Sequence, residues 1–190
     1  MLKVSLVLAT SLAVLAAPSA AEPLVRMSTS YYYIEGGSAL ILTEQIRKKG
    51  PVGIDGKRHA SRTRWNVQWK FRHNVRDDKC QMDDATVAVG INATRPRWRG
   101  EKTGPASLKR RWKQMIEAIE RGEEHHKQQA TLAGNQILAA LEAMPPARNC
   151  QVLIETANRT ANGILEKYQA ASEAYDRRTE HGRKDGASLI

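Results

Sequence analysis

Apolar or small side chains, with one histidine among them, recur at Leu108, Trp112, Met115, Ile119, Gly122, His126, Ala130, Ala133, Ile137 and Leu141. Steps of three and four place these positions on one face of an α-helix. Pro105 suits the first turn of that helix, and Pro145-Pro146 forbid its continuation. A second helical stripe runs through Cys150, Leu153, Ile154, Ala157, Ala161, Ile164, Leu165, Tyr168, Ala171 and Tyr175, behind Asn149 as an N-cap. A shorter helix is predicted from Ser38 through Arg47, with Leu40, Ile41 and Ile46 turned inward and Gly50-Pro51 as its stop.

Other stretches alternate with period two. Trp65, Val67, Trp69, Phe71, His73 and Val75 are interleaved with Arg64, Asn66, Gln68, Lys70 and Arg72, the pattern of a strand with one buried face. Asp77-Asp78-Lys79 turns the chain, and Val87, Val89 and Ile91 form a second strand that pairs with the first. Tyr31 to Ile34 is a further strand, closed by Gly36-Gly37. Val52 to Ser61 reads as a polar loop, Thr94 to Gly100 as a basic loop leaving the sheet, and Asp185 to Ile190 as a loosely held tail. The fold class is therefore α+β: a small antiparallel sheet of two to four strands covered by three helices, the central one most buried.

Length and composition refine this picture. The chain has 190 residues, 41% of them hydrophobic and 26% charged, which suits one domain with a sizeable core. Lys3, the apolar run from Val4 to Ala17, and Pro18-Ser19-Ala20-Ala21 have the form of a cleavable export signal, cut between Ala21 and Glu22. Residues 1–21 are then signal and 22–190 a single domain, located in the periplasm or secreted. The apolar run is short for a membrane span and no second follows, so no transmembrane segment is expected in the mature protein. In an oxidising compartment the lone pair Cys80 and Cys150 reads as a disulfide, with two free thiols as the alternative. Such a bridge closes a loop of about 70 residues, worth up to about 4 kcal/mol on the chain-entropy model.

The net charge of +10 favours anionic envelope components as partners over nucleic acid, which an exported domain rarely meets. Arg95, Arg97 and Arg99, interleaved with Trp98, together with Lys109, Arg110 and Lys113, are the candidate basic surface. The competing reading is that Trp98 anchors the loop while the arginines are simply solvated. The sequons at Asn92 and Asn158 fall in a strand and a helix and are read as chance.

The order and spacing of several small elements carry a resemblance. They are Tyr32-Tyr33-Ile34 with Gly37-Ser38, Gly50-Pro51, Thr63-x-Trp65-x-Val67-x-Trp69, Cys80, Val87-x-Val89 and Pro96-x-Trp98. Leu108, Trp112, Cys150 and Tyr175-Asp176-x-x-Thr179-x-His181-Gly182 complete the set. From Tyr31 to about Ala187 the chain resembles the bacterial domain-of-unknown-function 922 family, described as predicted secreted zinc-dependent proteases. The resemblance implies a metallopeptidase-like domain with H-E-x-x-H on its central helix. In that motif two histidines one turn apart bind zinc, and the glutamate activates the bound water for peptide hydrolysis.

Here the motif's second and last positions are Glu123 and His126, while its first is Gly122. The resemblance then implies Glu123 as general base, with His126 and the terminal His181 as zinc ligands and a peptide or protein as substrate. Three readings stay open. A metal site survives with a substitute ligand from His125, Glu123, His59 or His73. Alternatively the site has decayed and the fold serves binding. In the plainest reading Glu123 pairs with Lys127 on the surface and His126 is a core histidine bonded to a backbone carbonyl.

Overall fold

A computed structural model describes residues 21–190. The export signal read at residues 1–21 lies almost wholly outside the described residues. In chain order these form β1 (Leu24–Ile34), α1 (Ala39–Lys49), β2 (Arg62–Arg76), β3 (Lys79–Trp98), α2 (Ala106–Glu142), α3 (Cys150–Thr179) and a 3-10 turn, Arg183–Asp185. The architecture is α+β. One three-stranded sheet, ordered β1-β3-β2, has α2 and α3 packed on it. No helix among the described residues is long and apolar enough to cross a membrane.

The sheet is mixed, not purely antiparallel. β2 and β3 form the expected hairpin, turned by Asp77 and Asp78 at φ of 50° and 58°. β1 instead runs parallel to β3, Leu24 beside Ala88 through Ile34 beside Trp98. That pairing extends β3 to Trp98, so Thr94 to Trp98 is strand and not a basic loop. A register shift between Arg72 and His73 turns the alternation of β2 over. Asn74 is therefore half-buried, while His73 and Val75, expected inside, are exposed.

The 37-residue α2 organises everything else. Its C-terminal half buries Ala130, Ala133, Ile137, Leu138 and Leu141 against Val67, Val87, Val89 and Ile91 of the sheet and Ala157 and Ala161 of α3. Its N-terminal half buries Leu108, Trp112, Met115, Ala118 and Ile119 in a second cluster with Ile34, Leu42, Ile46 and Trp98. The tail joins this second cluster through Ala187 and Leu189, so it is docked, not loosely held. In α1 the inward pair is Leu42 and Ile46, one turn apart, which leaves Leu40 and Ile41 exposed. Asn149 caps α3 through Val152 N–H, and Ser172 takes the buried position expected of Ala171.

Cys80 and Cys150 are disulfide-bonded and tie the start of β3 to the first turn of α3. A backbone bridge between Cys80 and Ala147 flanks the bond. Trp69 Nε1–H donates to Asn158 Oδ1 at 2.9 Å, so this sequon asparagine serves packing between β2 and α3.

A polar pocket in the seam of the long helix

Between the two hydrophobic clusters, from Ile119 to Ala130, the buried positions of α2 are Glu123 and His126. A cavity of about 380 Å³ opens at this seam. Two walls give it its chemistry.

The first wall is α2 with α3, and Arg95 of β3 stands behind it. Glu123 is buried, and Arg95 of β3 grips it: Arg95 Nε–H lies 2.8 and 2.7 Å from the two carboxylate oxygens, and an Nη2–H also donates to Oε2. The same guanidinium donates to Glu120 at 2.9 Å. Burial pushes the Glu123 carboxyl above its usual range against the pull of Arg95. Burial acts to lower the Arg95 pKa, but its bonds to Glu123 outweigh that and hold its proton more firmly. One turn on, His126 Nε2–H donates to Asp176 Oδ1 of α3 at 3.0 Å. A carboxylate can only accept, so in the neutral ring Nδ1 is the bare nitrogen. It is buried and has no partner.

His125 points elsewhere. Its ring stacks on Tyr175, centroids 3.8 Å apart, and burial lowers its pKa. Gly122 faces open space: a Cβ built there meets only the Tyr175 hydroxyl, at 3.9 Å.

The second wall is the loop before β2 and the turn after α3. Residues 51–59 close a tight hairpin, with Gly53 N–H bonded to Lys57 O and His59 N–H to Pro51 O. His59 Nε2–H donates to Asp55 Oδ1 at 2.9 Å, and Lys57 N–H donates to the same oxygen at 3.0 Å. The bond from His59 is the main reason the Asp55 carboxyl is held down to about 2. His181 stacks on His59 with centroids 3.8 Å apart, and its Nε2 lies 3.6 Å from Asp55 Oδ2. Burial and the neighbouring His59 lower the His181 pKa. The backbone aims this ring: Glu180 and His181 both adopt left-handed φ, 51° and 55°. His181 N–H bonds to Asp176 O, and Gly182 N–H to Thr179 Oγ1.

The bacterial family described as "protein of unknown function (DUF922)" matches residues 29–182. The chain belongs to that family. Searches among curated proteins and among solved structures found no match.

The zinc set that H-E-x-x-H implies does not fit this DUF922 chain. Position 122 offers no ligand, and the Glu123 carboxylate is committed to Arg95, not to Lys127, whose partner is Glu124. His126 bonds a carboxylate where a backbone carbonyl was expected. Of the substitute ligands, His125 is turned onto Tyr175, and exposed His73 lies beside the Cys80–Cys150 sulfurs, which are spent in the disulfide. His59 does reach His181, and the two share Asp55.

The basic surface also shrinks. Arg95 is turned inward onto Glu123, Arg97 lies over Tyr31 at 4.2 Å and Arg99 over Tyr33 at 5.1 Å. Lys109, Arg110 and Lys113 remain exposed on α2. Trp98 is buried, donates to Gly36 O at 2.9 Å and meets Trp112 edge-on, as the anchoring reading expects.

Sequence reasoning missed Asp55, Asp176 as the partner of His126, and Arg95 as the counterion of Glu123. Asp55 was open to discovery, since it stands four residues before His59 in a glycine-containing loop. Arg95 was not, because its role depends on strand register.

Proposed function

We propose that this DUF922 chain is an exported, metallopeptidase-like protein whose helix motif no longer hydrolyses peptides, and that its seam pocket serves binding. One observation carries this reading: Arg95 holds both oxygens of Glu123 beside a motif position occupied by glycine. A general base must have a free lone pair within reach of the proton it removes. A buried carboxylate already accepting two guanidinium N–H groups, one of them shared between both its oxygens, has its lone pairs engaged by a fixed cation. The Cys80–Cys150 disulfide supports an oxidising compartment such as the periplasm.

The test is an assay of purified protein on a broad peptide library with zinc present, native beside Glu123→Gln. No Glu123-dependent hydrolysis is expected. Cleavage abolished by Glu123→Gln would show a working peptidase and end the reading. A reading through a basic envelope-binding surface has less support, because Arg95 is internal and Arg97 and Arg99 lie on tyrosine rings.

A further inference from the structure

The loop wall gathers donors that the helix motif does not use. Asp55, His59 and His181 each offer one ligand atom, and these atoms all lie within 4.8 Å of one another. We infer that these three residues bind one divalent first-row transition-metal ion of the zinc kind at the edge of the pocket. The inference deepens the reading of the pocket as a binding site, on which it rests, and names its first ligand.

Donor chemistry selects the class. Two imidazoles and one carboxylate suit zinc, iron, nickel or copper, whereas calcium and magnesium prefer all-oxygen shells. The geometry is close to what such an ion needs. Metal–ligand bonds of about 2.0–2.2 Å set tetrahedral ligand atoms about 3.3–3.5 Å apart. Asp55 Oδ1 already lies 2.9 Å from His59 Nε2 and its Oδ2 3.6 Å from His181 Nε2, so the carboxylate faces both rings. The proton that His59 now donates to Asp55 is the one an incoming cation displaces.

The arrangement is built. Gly53 leaves room for it: a Cβ there would stand 2.7 Å from Asp55 Oδ1 and 2.8 Å from His59 Nε2. His181 is aimed by two consecutive non-glycine residues in left-handed conformation, a costly backbone choice of the kind concentrated at functional sites. Lys57 N–H orients the carboxylate from behind. The nearby cation Arg62 has its guanidinium anchored on Val52 O. Three protein ligands leave at least one coordination position for a donor from the pocket. In the wall of the same pocket, the buried Nδ1 of His126 lacks a partner of its own.

The experiment is a cobalt titration of tag-free purified protein stripped with chelator. Native protein should take up one Co²⁺ per chain, with the intense visible absorption of a low-coordinate site, and zinc should displace it. His59→Ala and His181→Ala should each weaken binding by about tenfold or more. His73→Ala, at an exposed position on β2 outside the pocket, should leave the affinity unchanged. Zinc added to native protein should also shift the ring resonances of His59 and His181 in NMR spectra, which keeps the test open if a variant fails to fold. Absence of saturable cobalt binding would overturn the inference. So would binding that survives His59→Ala and is lost in His126→Ala. The peptide-library assay reads Glu123 and not these ligands, so failure of one reading is distinguishable from failure of the other.

Discussion

The two walls of the seam pocket hold similar residue types and treat them in opposite ways. On the helix wall each acidic or basic group is answered from another element. Arg95 of β3 answers Glu123, and Asp176 of α3 answers His126. On the loop wall Asp55, His59 and His181 answer only one another, at the edge of the fold, where solvent reaches all three. The difference teaches what the residues are for. Charges matched across secondary elements are used in packing, whereas donors that converge on one another, with the nearby cation Arg62 tied to Val52 O, are free to meet a ligand.

The sharpest way to break this comparison is to remove one group from each wall. Arg95→Ala leaves a buried carboxylate beside Glu120, and breaking a buried pair by deleting one partner costs about 3–5 kcal/mol. Arg95→Ala with Glu123→Leu should recover much of that loss, since no stranded charge remains. His59→Ala, at a partly exposed site, should change stability by less than about 1 kcal/mol. Urea melts of the four proteins check this. If Arg95→Ala proves as mild as His59→Ala, the helix wall is not structural and Glu123 is freer than its contacts indicate.

Gly122 sharpens the contrast from the other side. Glycine within a helix costs about 1 kcal/mol relative to alanine, and here a Cβ finds nothing nearer than 3.9 Å. Gly122→Ala should therefore stabilise the protein by up to about 1 kcal/mol in the same melts. Gly122→His puts a ring one turn before His126 in open space. In a His59→Ala background, zinc should then raise the melting temperature, because an ion bound only by the folded state stabilises it by mass action. No zinc-dependent shift in that double variant would mean that Asp176 and Arg95 keep the helix wall closed to metal.

Much of this was legible along the chain, and the limits have physical causes. The stripe from Leu108 to Leu141 and the Asn149 cap are local periodicities, and both stand as expected. The disulfide followed from having two cysteines and expecting an oxidising compartment. What failed depended on register. The shift at Arg72/His73 turned Val75 outward, and parallel pairing with β1 drew Arg95 out of a supposed loop and under α2. The site was half legible for the same reason. Glu123 and His126 were visible on a helix face, but their partners come from strands and helices 28 and 50 residues away. Asp55 and His59 sat in a loop that carries no periodicity at all.

The smallest expected effect bears on what holds the loop wall in place. Tyr32 of β1 donates its hydroxyl proton to Ala60 O at 2.8 Å, one residue past His59. Burial raises its pKa well above the ordinary tyrosine value of 10. A folded-state pKa above the unfolded one means that the native state holds the proton longer. The contribution is fully present below about pH 10 and is lost as pH rises toward the folded value. Stability should therefore fall on the alkaline side of pH 10. Tyr32→Phe should cost about 1 kcal/mol at neutral pH through the lost hydrogen bond, and it should flatten that alkaline limb. The flattening should be partial, because burial also raises the pKa of Tyr175. Denaturant melts of native and Tyr32→Phe protein at neutral pH and above pH 10 measure both effects. On the helix wall Arg95 is shifted upward and stays charged throughout this range, so the Arg95→Ala penalty should be the same at both pH values. If that penalty also shrinks above pH 10, the two walls titrate together and the seam acts as one unit.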